Sequence, residues 1–183
     1  MKNRLLLALG LVALVALGAA GCFLTSAQVL AEFALPNPFT IDGADGYERI
    51  AVDLNEIDAY QEHKEKLETI SDLAIVGKFT NVSGTGGGVV FYITAGSTAF
   101  TSPAEIVAGA TKLWGPGTIG ATGDSRTIGW DASAGLFTTA GKKILLTEAK
   151  GDGQFTLYSI GSPGSSNVIQ VDKGYLVLVL GAG

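Results

Sequence analysis

Tyr175-Leu176-Val177-Leu178-Val179-Leu180, close to the C-terminus, is a run of six apolar residues without a charge. A strand with one wet face alternates polar and apolar residues, whereas an unbroken apolar run needs cover on both faces. The run therefore predicts a strand at the centre of the core. Leu176, Val177, Leu178, Val179 and Leu180 would each contribute about 1.5–3 kcal/mol on burial. Just before it, Gly174 reads as a turn, 167–171 as one strand and 155–160 as another.

Working back toward the N-terminus, 28–35 reads as a strand with Val29, Ala31, Phe33 and Leu35 on one face, stopped by Pro36 and Pro38. Asp42-Gly43 and Asp45-Gly46 are turn signals. Residues 49–54 set Ile50, Val52 and Leu54 against Ala51 and Asp53, another strand. Residues 55–70 carry the clearest helical pattern. Asn55 can cap it, Glu56 and Asp58 put negative charge in the first turn, and Glu62 pairs with Lys66. Ile57, Tyr60, Leu67 and Ile70 fall near one face of that helix. Segments 73–82 and 89–94 flank Gly84-Thr85-Gly86-Gly87-Gly88 and predict a hairpin. Its second arm, Val89-Val90-Phe91-Tyr92-Ile93, is apolar on both faces and predicts a central strand. Ser102-Pro103-Ala104-Glu105 is a capping box with Pro at the first helical position, opening about two turns of helix to Ala108. Residues 109–135 are dense in Gly, Thr, Ser and Asp and read as loops, with a short strand over 127–130. Asp131 then predicts the cap of a helix through Lys150 that uses Leu136, Phe137, Ile144 and Leu145.

At least six strands among glycine-rich turns, without regular βαβ crossovers, predict a mainly β protein. The expected architecture is an antiparallel β-sandwich with one or two helices packed at its edge, and α+β is the alternative. The chain has 183 residues, 47% of them hydrophobic, enough for one well-filled domain. Twelve Lys and Arg face 17 Asp and Glu, a net charge of -5, which argues against a nucleic-acid partner. The single cysteine excludes an internal disulfide and a Cys-rich zinc site, and the single histidine excludes a His-type metal site.

The N-terminus reads as an export signal. Lys2 and Arg4 are followed by an uncharged apolar run over 5–20, and small residues lead into the only cysteine: Ala19-Ala20-Gly21-Cys22. This segment resembles the lipobox of bacterial lipoproteins, with Ala19 where that family usually has Leu. The resemblance covers residues 1–22. It implies cleavage after residue 21 and attachment of a diacylglyceryl group, with or without a further palmitate-type acyl chain, to Cys22. An uncleaved transmembrane anchor and simple secretion are the competing readings, the apolar run to Gly21 being about 17 residues, at the lower limit for a span. The division is then 1–21 as signal peptide, 22–27 as lipidated cysteine with a short tether, and 28–183 as a single β-rich domain. Loss of Lys2 and Arg4 leaves 10 basic against 17 acidic side chains, so attachment would come from the acyl chains rather than from charge. The implied location is the extracytoplasmic side of the cell envelope. Phe23, in place of the Asp that resembles an inner-membrane retention signal, favours the outer membrane if the cell has one. The mature part is similar in style, not in any motif, to small envelope lipoproteins with a β-rich domain.

Chemistry-bearing motifs are sparse. Gly115-Pro116-Gly117-Thr118-Ile119-Gly120 fits G-x-G-x-x-G, but 135–140 lacks the acid a dinucleotide fingerprint needs, and the stretch reads as a glycine turn. Gly84 to Gly88 lacks the Lys-Ser/Thr of a phosphate loop. Neither G-x-S-x-G nor S-x-x-K occurs. His63 lies in the charged run Gln61-Glu62-His63-Lys64-Glu65-Lys66 and reads as a surface residue. Glu56, Asp58, Glu62, Glu65 and Glu68 read as the wet face of the helix rather than an acid–base pair. Asp42, Asp45 and Glu48 lie in a turn-rich loop with the donors for calcium, though not at EF-hand spacing, and ordinary Asp-Gly turns are the simpler reading. The sequon Asn81-Val82-Ser83 is uninformative behind a bacterial-type signal. Trp114, Trp130, Tyr47, Tyr92 and Tyr158 are scattered, as core or rim aromatics are, rather than grouped as a sugar platform. The expectation is a non-catalytic, lipid-anchored envelope module without metal or cofactor. Its partners are the membrane and an unidentified envelope protein. A carrier or chaperone for an apolar ligand or lipid is the alternative.

Overall fold

In the computed structural model, residues 27–43, 46–96, 98–161 and 166–182 are described. They form two packed antiparallel sheets. The first contains β1 (Ala27–Ala34), β2 (Phe39–Asp42), β4 (Leu67–Ser83), β7 (Ser125–Ile128) and β9 (Val168–Ala182) in the order β1–β9–β4–β7, with β2 also on β9. The second contains β3 (Tyr47–Asp53), β5 (Gly87–Ala95), β6 (Thr111–Ile119) and β8 (Gln154–Gly161) in the order β3–β8–β5–β6. The helices are α1 (Asp58–His63), α2 (Pro103–Gly109), α3 (Trp130–Ala134) and α4 (Thr139–Lys150). The expected β-sandwich is present, and among the described residues it carries four helices rather than one or two.

The C-terminal apolar run lies inside β9. Leu176, Leu178 and Leu180 are fully buried between the sheets. One side of β9 holds β1 and β2 end to end, β1 against 175–182 and β2 against 168–171. Pro36 and Pro38 occupy the jog between them, where the Leu35 amide donates to Gly174 O at 2.9 Å and the Lys173 amide to Asn37 Oδ1 at 3.0 Å. Along its other side runs the 17-residue β4. Gly174 is not a turn, and the two strands expected around it are one. The chain bulges there instead: Lys173 has φ of 50°, and the register slips between Val76 and Lys78. A Cβ on Gly77 would stand 3.1 Å from Gly174 Cα, so two glycines meet where the strands touch. Cover on both faces is realised only in part. Val177 is buried, but Val179 is half-buried and Tyr175 is 39% exposed.

The helix expected over 55–70 is shorter. A 3-10 turn (Leu54–Glu56), α1 and a second 3-10 turn (Lys64–Lys66) end at Leu67, where β4 begins. Asp53, not Asn55, supplies the cap, and its side chain accepts from the Asn55 amide. Ile57, Tyr60, Leu67 and Ile70 all reach the core, the first two from the helical turns and the last two from a strand. The predicted hairpin also fails. β4 and β5 follow one another in sequence but lie in different sheets, so the glycine loop carries the chain across the sandwich. The central position expected for 89–93 is correct, since β5 lies between β8 and β6.

Residues 111–119, expected as loop, are strand β6. Gly117 is glycine because the Trp114 ring lies on it: a Cβ there would be 2.5 Å from the indole Cη2. Trp114 stacks on Phe79 with centroids 6.2 Å apart and meets Phe91 edge-on at 5.6 Å, filling the space between the sheets. Its indole N–H donates to Ser133 Oγ at 2.9 Å. The long helix expected from Asp131 is broken at Gly135 into α3 and α4, and Thr138 caps the second part. The capping box at 102–105 forms, although Glu105 reaches back to the Thr101 amide rather than to Ser102. Helix α2 presses Ile106 onto the outer face of the second sheet, over Val90, Tyr158 and Ile160, a second small core.

Leu178→Ala should cost about 2–5 kcal/mol in denaturant unfolding, as for a fully buried leucine that leaves a cavity. Deleting residues 175–183 should abolish the cooperative transition, because a domain of this kind holds only about 5–15 kcal/mol in total. Retention of a cooperative melt by the truncated chain would contradict the central placing of β9.

Candidate functional site

Cys22 and the apolar run before it lie outside the described residues. The first described residue, Ala27, pairs with Ala182 at the end of β9, and Leu67 at the start of β4 pairs with the same residue. Five extended residues reach at most about 17 Å. A group carried on Cys22 would therefore lie within that distance of this end of the first sheet. Among the described residues, no helix is long and apolar enough to cross a membrane.

The second candidate loop joins β2 to β3. Asp42 is exposed at the end of β2, Asp45 lies outside the described residues, and Glu48 stands half-buried in β3 opposite Ser159. The Gly43 amide donates to Asn167 O at 2.7 Å, and the Gly46 amide to Asp42 O at 3.0 Å. Asn167 is fully buried, and among the described residues neither end of its amide has a hydrogen-bond partner; the same is true of the Ser159 hydroxyl. Each such group costs roughly 1–3 kcal/mol unless solvent bridges it. Among the described residues, no group of three His, Cys, Asp or Glu side chains stands close enough to hold a metal ion.

Two surface clefts contain carboxylates with shifted pKa values. The first, about 310 Å³, is lined by Arg49, Asp53, Glu56, Gln154 and Thr156 among others. Asp53 Oδ1 accepts from the Asn55 side chain at 2.8 Å and from its backbone amide at 2.9 Å, and Oδ2 accepts from Gln154 Nε2 at 2.9 Å. These bonds, the Asn55 side chain foremost, hold the Asp53 carboxyl below the usual carboxylate range. The second cleft, about 400 Å³, lies along α4 between Ile144, Thr147, Glu148 and Ala95. Burial, with the charge of Asp152, raises the Glu148 carboxyl above its ordinary value. The two clefts share no lining residue. Neither cleft was legible in the sequence, because each is assembled from three or more elements distant in the chain.

His63 ends α1, half-exposed, with Nε2 at 4.0 Å from its neighbour Glu62. The glycine motif at 115–120 is a core strand with its exit, not a ligand loop and not the expected turn. Asn81 of the sequon is fully buried and donates to Thr85 O at 2.9 Å and Gly120 O at 2.8 Å. Of the aromatics, Trp114 and Tyr158 are buried, and Trp130 donates to Asp72 Oδ2 at 3.0 Å. Tyr47 packs near Tyr158, and Tyr92 flanks the second core, so the rings form no platform. No protein-family model matches this sequence, and no curated protein is significantly similar to it.

Asp53→Ala should cost about 1 kcal/mol at pH 7, the usual effect of losing a cap. The folded pKa of Asp53 is lowered, so its contribution is present above the unfolded value and fades as pH falls through the folded one. The gap between variant and wild-type melting temperatures should therefore close in acid. Glu148 has the opposite sign: its folded pKa is raised, so stability is lost as pH rises through it. Glu148→Gln should be neutral or stabilising at pH 7 and should flatten that part of the pH profile. His63→Gln should leave stability within about 0.5 kcal/mol, as at ordinary surface positions. A larger loss in denaturant titration would place His63 in a contact that the fold does not show.

Proposed function

We propose that this chain is a lipid-anchored protein of the cell envelope. Cys22 carries the lipid, and a β-sandwich works outside the cytoplasmic membrane as a non-catalytic binding or structural module. One observation carries the reading: the chain's single cysteine stands directly after a charged start, an apolar run and the small residues Ala19-Ala20-Gly21. The position of Ala27 at one end of the first sheet agrees with it, because a short tether from Cys22 then meets the domain at a well-paired strand. The non-catalytic part rests on the sequence, in which neither G-x-S-x-G nor S-x-x-K occurs and histidine is single. It is favoured over the carrier because Trp114, Phe79 and Phe91 occupy the space between the sheets where an apolar ligand would sit.

Intact mass of the protein extracted from membranes tests the anchor. The expected species lacks residues 1–21 and carries a diacylglyceryl group on Cys22, with or without a further acyl chain. Two or three chains make the attachment nearly irreversible, where one would be marginal. Cys22→Ser should abolish the lipid mass. A membrane-extracted chain that still begins at Met1 with an unmodified thiol would replace the lipid anchor by a transmembrane one.

A further inference from the structure

The two sheets have four edges, and three are guarded. Strand β7, only four residues long, covers 77–80 of β4, the Arg126 guanidinium beside it donates to Thr118 O of the other sheet at 3.2 Å, and before it the Ile75 amide of β4 donates to Ser133 Oγ of α3 at 2.8 Å. Strand β6 is covered by residues 136–138: the Gly115 amide donates to Leu136 O at 3.0 Å, and the Thr138 amide to Leu113 O at 2.9 Å. Strand β3 carries Glu48, Arg49 and Asp53 in seven residues. Charges, short length and covering segments are the devices by which sheet edges avoid pairing with other chains.

The fourth edge is longer than β7 and β3, carries a single charge and has no main-chain cover among the described residues. Strand β1 is eight residues long, Ala-Gln-Val-Leu-Ala-Glu-Phe-Ala, with one charge and no proline. Its ladder with β9 runs through eight consecutive pairs without a bulge. Among the described residues, no strand pairs with its far side. Helix α1 packs near it, but no main-chain bond joins the two. Leu30, on its outer face, is 53% exposed, the most exposed large apolar side chain among the described residues. Across the ladder Leu30 faces half-buried Val179, and exposed Tyr175 lies further along the same face of β9.

We infer that β1 is a self-association edge, which pairs antiparallel with β1 of a second copy to join the two first sheets into one. A two-fold axis normal to the sheet pairs only residues on the same face. The register centred on Leu30 sets it against Leu30 of the partner subunit and sets Gln28 against the partner's Glu32. Apolar then meets apolar, and the Gln28 amide faces a carboxylate that accepts its hydrogen bond. The register centred on Ala31 would instead set Leu30 against the partner's Glu32. The sequence of β1 is thus complementary to itself in one register, and this argues for a second copy over an unrelated extended peptide. The inference stands apart from the anchoring reading, since it uses no residue before Ala27.

The test uses the full chain with Cys22→Ser, purified in detergent. Sedimentation equilibrium should give a dimer. Leu30→Cys should cross-link to itself under mild oxidation. Glu32→Cys alone should not, because four residues of offset separate the two thiols by about 13 Å along the strands. Mixed with Gln28→Cys, it should cross-link. Leu30→Lys should abolish the dimer, with the melting transition of the monomer retained. A wild-type monomer throughout the micromolar range would overturn the inference, whatever other protein binds the edge. So would self-cross-linking of Glu32→Cys as fast as that of Leu30→Cys, or a Leu30→Lys chain that stays dimeric.

Discussion

Strand β9 is held on both sides along its length, by β1 and β2 on one side and by β4 on the other. The β1 ladder keeps one register and the β4 ladder slips at four bulges, yet Leu176, Leu178 and Leu180 all stay buried against the other sheet. A slip of one residue would exchange these leucines for Tyr175, Val177 and Val179, so the alternation fixes the pairing. The same strand also brings together the first and last described residues, since Ala27 and Ala182 are partners. The last strand made is therefore the one that closes the first sheet, and its ladders join residues separated by most of the chain.

Much of this plan was legible in the sequence. The C-terminal apolar run, the alternation of Ile50 and Val52, the doubly apolar 89–93 and the cap at Ser102 each report a local fact that the fold preserves. The misreadings share one cause: the signal used was local and the deciding contact was not. Leu67 and Ile70 fit the face of a helix with Ile57 and Tyr60, and three residues apart they share a strand face only because the ladder bulges between Leu67 and Thr69. Pairing with β9, invisible to local periodicity, decides for the strand. The glycines of 115–120 suggested a loop, yet Gly117 is small so that an indole can lie on it. The hairpin signal around Gly84 to Gly88 gave the turn correctly and the partner wrongly, since both arms find their neighbours in strands made later.

The functional side divides in the same way. The anchoring proposal rests on residues 1–22, a contiguous pattern that needs no fold to be read. What the domain itself offers is the Asp53 and Glu148 clefts and the buried amide of Asn167, assembled from distant elements, and the outer edge of β1. A tether of a few residues and an unguarded first strand would place the anchor and the association edge at the same end of the molecule. Two copies held at one membrane surface would then meet with their β1 strands already near the plane of attachment.

Native-state hydrogen exchange is the most direct test of the claim that β9 organises the molecule. The amides of Leu176, Val177, Leu178, Val179 and Leu180 should be the slowest in the chain, exchanging only through global unfolding, while those of the short edge strand β7 open locally. Exchange of the β9 amides through a local opening, faster than those of β5 and β8, would show that the second sheet is the stable core and that β9 is added to it.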